Sequence, residues 1–92
     1  MTERKHEKAV RSIASREFPD RIRLGDLVLE IMENQSLLNS INEELEERPE
    51  QPSMPEGYVR ERSYFIDAGA VVLDRQSNLY AELNHREIFY RN

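Results

Sequence analysis

Glu43, Glu44, Glu46 and Glu47 place four carboxylates within five residues, a density at which two acids can divide general-acid from general-base work. That division requires enough burial to hold one carboxyl protonated while its neighbour ionises. A charged run closing a helix is solvated, so these groups are expected to recognise charge rather than to catalyse. Their placement is nonetheless costly. A helix C-terminus carries partial negative charge, and each exposed carboxylate there loses roughly 0.3–1 kcal/mol. Glu43 also has Glu46 and Glu47 as like-charged neighbours on the same surface.

The other chemistry-bearing residues are scattered. His6 and His85 are the only histidines, and His85 with Glu87 makes an incomplete ligand set, so no metal is expected. Ser12, Ser15, Ser63 and Ser77 lie in no nucleophile turn. Gly25, Gly57 and Gly69 are too dispersed to form a phosphate-cradling loop. No cofactor and no enzymatic activity are expected. A second candidate surface is Tyr58, Arg60, Arg62 and Tyr64, which share one face if their segment is a strand. Such a face can stack bases and hold phosphates, or serve as a protein-binding patch.

The elements that must position these groups follow from spacing. Thr2 can cap a first helix that runs to about Glu17, with Val10, Ile13, Ala14 and Phe18 at helical intervals before Pro19. A second helix begins near Leu24, with Asp26 as a candidate cap. Leu24, Leu27, Ile31, Asn34, Leu38, Ile41 and Leu45 repeat in steps of three and four, and Pro49 ends the pattern after Arg48. Residues 49–57 hold three prolines and a glycine, the composition of an extended connector.

Beyond the connector, Tyr58 to Ile66 alternates loosely. Val71 to Leu73 is a short apolar run, and Asp74 to Asn78 reads as a turn into Leu79–Leu83. This predicts a small antiparallel β-meander closed by Glu87 to Tyr90. The competing pattern is a third helix with Phe65, Ala68, Val72, Leu79 and Leu83 on one face, weakened by Gly69 and by Gln76, Ser77 and Asn78. The expected fold is therefore α+β and a single domain: an antiparallel helical hairpin over 1–48, a proline-rich connector over 49–57, and a β-meander over 58–92. In that hairpin Arg4 lies opposite Leu38 and Met1 opposite Ile41, so that Arg4 and Lys5 can reach Glu43.

Charge is unevenly distributed. Residues 1–23 carry +3, residues 24–56 carry −8 and residues 57–92 are neutral, for a net −5. The chain has no cysteine, so disulfides supply no stability. Met1 to Arg11 is charged where a secretory signal needs an apolar core, and no run approaches the roughly 18 apolar residues of a membrane span. Cytoplasmic residence without membrane association is the default expectation.

The sequence points to a small acidic protein-binding module, an adaptor or inhibitor of the kind a phage or mobile element encodes, docking on a basic partner surface. Glu44, Glu46, Glu47 and Glu50 would steer the encounter, and Leu38, Ile41 and Leu45 would supply an apolar anchor. One alternative is a nucleic-acid-associated regulator using the basic first helix or the Tyr58–Tyr64 face. Another is a structural assembly subunit, a homodimer or larger homo-oligomer joined through the Leu38–Leu45 seam.

Overall fold

The computed structural model describes residues 4–91, with side-chain surroundings described as far as Arg86. It contains three helices and, among the described residues, no strand: α1 is Glu7–Ser15, α2 is Leu24–Glu46 and α3 is Glu56–Arg91. The expected α+β fold with a β-meander over 58–92 is thus overturned, because that whole stretch is one helix. The Thr2 cap and the placement of Met1 lie outside the described residues.

The physical reason for the correction lies in the partner that α2 finds. A 36-residue helix is about 54 Å long at 1.5 Å per residue, long enough to run antiparallel along all of α2. Phe65, Ala68, Val72 and Leu79 are buried on one face of α3 and Leu83 is half-buried. They meet the α2 seam, on which Leu27, Ile31, Asn34 and Ile41 are buried and Leu38 and Leu45 half-buried. The cover over Leu37, Leu38, Ile41 and Leu45 is therefore α3 together with α1, not a sheet. The molecule is a rod of 56 × 28 × 16 Å with a radius of gyration of 16.1 Å, longer than the roughly 12 Å radius of a globule of this length.

Residues that spoke against a helix are accommodated by this pairing. Gly69 lies at the α2/α3 contact, where an added Cβ would meet Ile41 Cγ2 at 3.6 Å, an ordinary van der Waals distance. Glycine in a helix interior costs about 1 kcal/mol relative to alanine. Gly69→Ala is accordingly expected to raise stability by about 0.5–1 kcal/mol, read as a melting temperature several degrees higher; a fall would mean the contact has no slack. The Gln76 side-chain amide donates to the Ile31 carbonyl at 3.0 Å, a bond between helices rather than a turn.

α1 is shorter than the spacing suggested and stops at Ser15, after which residues 16–23 run without regular structure to α2. Its two buried residues, Val10 and Ile13, join Ile41, Phe65, Ala68 and Val72 in the larger core cluster. A second cluster of Leu27, Ile31 and Leu79, flanked by Ile22 and Leu83, holds the other end of the α2/α3 pair. The Arg86 guanidinium donates to the Ile22 carbonyl and ties the 16–23 segment to α3. At the start of α2 the N-cap is Arg23, with no side-chain cap, and Asp26 lies inside the first turn rather than capping it. No helix among the described residues is long and apolar enough to cross a membrane.

Candidate functional site

The acidic end of α2 is built around Arg48. Its Nη1 donates to the Glu44 carbonyl at 3.0 Å and to Glu44 Oε2 at 2.7 Å, so a cation satisfies an orphan carbonyl where the helix dipole favours it. The guanidinium lies 5.0 Å from the centre of the Phe65 ring. Lys5 Nζ reaches the other Glu44 oxygen, Oε1, at 3.2 Å. Glu44 is held below the usual carboxylate range, first by the Arg48 bond and then by Lys5. Arg4, expected to reach Glu43, bonds Glu61 instead at 2.8 Å and stacks on Tyr64 at 4.9 Å.

Glu44 is therefore withdrawn from the candidate recognition set, whereas Glu43, Glu46, Glu47 and Glu50 are exposed around the turn. Glu47 lies only within 4.0 Å of Arg48. The turn itself is fastened to α3. The Tyr58 hydroxyl donates to the Pro49 carbonyl at 2.6 Å, and Arg62 Nε donates to the Arg48 carbonyl at 3.1 Å.

The proposed Tyr/Arg face does not form, because the segment is helical and alternate residues then point to different sides. Tyr58 and Arg62 bind the turn, Arg60 pairs with Glu56 at 3.2 Å, and Tyr64 packs edge-on to Phe65 with ring centres 5.1 Å apart. Leu38, Ile41 and Leu45, the expected apolar anchor, are occupied by the protein's own core, with Ile41 fully buried. Leu38 and Leu45 remain half-buried at the edge of that core.

Two features had no counterpart in the sequence reading. The first is a buried charge brace. Arg75, only 6% exposed, grips Glu30 with both arms, Nε to Oε2 at 3.0 Å and Nη2 to Oε1 at 2.9 Å. Arg16 joins from the 16–23 segment at 2.7 Å, and Phe18 stacks on Arg75 at 5.1 Å. Beside the brace lies a half-open cleft of about 320 Å³ lined by Ile13, Ala14, Arg16, Phe18, Val71, Asp74, Arg75 and Asn78. Its lining offers guanidinium, carboxylate and amide groups. Among the described residues no three His, Asp or Glu side chains stand close enough to hold a metal ion.

The second feature is an apolar face on the side of the α2/α3 pair away from α1. Val59, Ile66, Leu73 and Tyr80 recur every seven residues along α3 and are 40–55% exposed. On α2, Leu24, Val28 and Met32 are 40–63% exposed. The seven-residue repeat is present in the sequence, but it defines a face only when 58–80 is one continuous helix. No family model, no curated protein and no solved structure matches the chain.

Proposed function

We propose that this chain is a small non-catalytic protein-binding module, an adaptor or inhibitor that docks through the α2–α3 turn on a basic surface of a partner protein. The observation that carries the reading is the division among the acids. Glu44 is neutralised within the fold, whereas Glu43, Glu46, Glu47 and Glu50 remain exposed around a turn fastened by Tyr58 and Arg62. Carboxylates left on a rigid end, where the helix dipole disfavours them, act by steering and selecting an oppositely charged partner.

The competing nucleic-acid reading needs cations directed at phosphates. Arg4, Lys5, Arg16, Arg60 and Arg75 are instead each engaged by a carboxylate of the same chain. Cytoplasm is the setting proposed for this activity.

The test replaces Glu43, Glu46, Glu47 and Glu50 together with Gln. The variant is expected to lose, at near-physiological salt, the protein that the natural chain captures, while its melting temperature stays unchanged or rises slightly because like charges at the helix end are removed. A large fall in melting temperature would make the acids structural. Salt-sensitive retardation of duplex or single-stranded nucleic acid by the natural chain would favour the regulator reading instead.

A further inference from the structure

α1 packs on one side of the α2/α3 pair, and on the opposite side, near the start of α2, no described residue covers a set of exposed apolar side chains. Residues two apart on a helix point about 200° apart. Val28 and Met32 therefore face away from Glu30, which meets Arg16, and Leu73 faces away from Val71 and Arg75, which line the cleft beside α1. Because Ile31 is level with Gln76, the α2 residues lie alongside the Leu73–Tyr80 half of α3. The result is a patch two helices wide, made by Leu24, Val28, Met32, Leu73 and Tyr80 with Ser77 at its middle. Nearer the turn, α2 presents Gln35 and Asn39 instead, bonded to each other at 3.1 Å.

We infer that this patch is the interface of a homodimer in which two α2/α3 pairs stack face to face and point in opposite directions. Three observations select a second copy as the occupant. The five apolar side chains are 40–63% exposed, and with their small neighbours two such faces would bury on the order of 1,200 Å², the lower end for a specific complex, each face lying at the upper end of the roughly 300–600 Å² patch a monomer leaves bare. The patch carries no Asp, Glu, Lys or Arg, so it offers nothing to the basic partner that suits the acidic turn. The net charge of −5 likewise disfavours an anionic membrane surface.

Charge also sets the direction. With the two copies parallel, both acidic turns would meet at one end of the dimer. With the two-fold axis crossing the helices near Ser77, the turns lie at opposite ends of the rod and every neighbouring helix pair is antiparallel. In that register Leu73 packs against Tyr80 of the second copy, and Val28 against its Met32. The seven-residue spacing from Leu73 to Tyr80 suits the side-chain interdigitation of packed helices.

Sedimentation equilibrium up to about 1 mM chain, which covers the affinities expected of so small an interface, should show a species of twice the 10.9 kDa chain mass. Val28→Glu/Leu73→Glu should sediment as a monomer with unchanged helical circular dichroism. Since the chain has no cysteine, Ser77→Cys introduces a unique thiol that should form a disulfide-linked dimer on mild oxidation, whereas Ser53→Cys in the turn should not. A monomer throughout the range would overturn the inference, and so would a dimer that survives Val28→Glu/Leu73→Glu. Cross-linking through position 53 in place of 77 would reject the antiparallel arrangement. None of these outcomes depends on the acidic turn, whose reading stands or falls separately.

Discussion

Arg75→Ala is expected to destabilise the protein by about 3 kcal/mol, the lower end for breaking a buried ion pair, because Arg16 continues to contact Glu30. At 92 residues that corresponds to a melting temperature lower by roughly 12–24 °C. The loss arises less from the attraction removed than from the carboxylate left behind. Glu30 has a side chain only 12% exposed and would keep a single partner, Arg16, whose own side chain is 47% exposed. Replacing both members with leucine removes the stranded charge, so Glu30→Leu/Arg75→Leu should recover most of the stability. A double variant as unstable as Arg75→Ala would show that the loss comes from the arginine's packing on Phe18.

The same brace gives stability a pH dependence of definite sign. The Arg75 bond is the main cause holding Glu30 below its ordinary value, and burial opposes it. The unfolded chain therefore takes up this proton before the folded one does as pH falls. Stability from Glu30 is fully present above the normal carboxylate range and is lost as pH drops through the lowered folded-state value. Melting temperature should fall on acidification below about pH 5, and less steeply in Glu30→Leu/Arg75→Leu. A residual slope of the same sign is expected from Glu44, which Arg48 and Lys5 also hold down.

The brace illustrates what could and could not be read in advance. Glu30 and Arg75 are 45 residues apart, and only the antiparallel register of two helices makes them neighbours. Once 58–83 is taken as strands, no such register exists. The apolar face of α3 was present as Phe65, Ala68, Val72, Leu79 and Leu83, yet buried Arg75 and Gln76 interrupt it and blur its period. Gly69 and the Gln76–Asn78 cluster then tilted a local reading toward turns. Propensity amounts to a fraction of a kcal/mol per residue, whereas packing a whole helix against α2 supplies many times that.

At the acidic end, the compensating cation was visible four residues beyond Glu44. Arg48 ends the helix pattern before Pro49, and nothing local to the sequence distinguishes that position from one that also caps the last turn, as its bond to the Glu44 carbonyl does. The three-and-four spacing of the α2 seam marked the face turned inward, because it depends on one helix alone: Leu27, Ile31, Asn34 and Ile41 are buried and Leu38 and Leu45 half-buried, whereas Leu24 at its start is exposed. What it could not supply was the identity of the cover.

Ile41→Ala should be among the most damaging single truncations, and its comparison with Leu79→Ala separates the two halves of the core. Both side chains are fully buried, and truncation at such sites costs about 2–5 kcal/mol. The whole stability of a chain this size is about 5–14 kcal/mol, so either change consumes a large share. The consequences should differ in place. Ile41 belongs to the cluster that holds α1, whose only buried residues are Val10 and Ile13. Leu79 belongs to the smaller cluster with Leu27 and Ile31, to which α1 contributes nothing. Hydrogen exchange in Ile41→Ala should show α1 losing protection first, while in Leu79→Ala the early opening should fall at the start of α2 and along residues 76–86 with α1 still protected. The polar layer between the clusters, Glu30, Arg75, Asn34 and Gln76, is what would let one end loosen before the other. Identical exchange patterns in the two variants would mean that this layer transmits the damage and that the rod unfolds as a single unit.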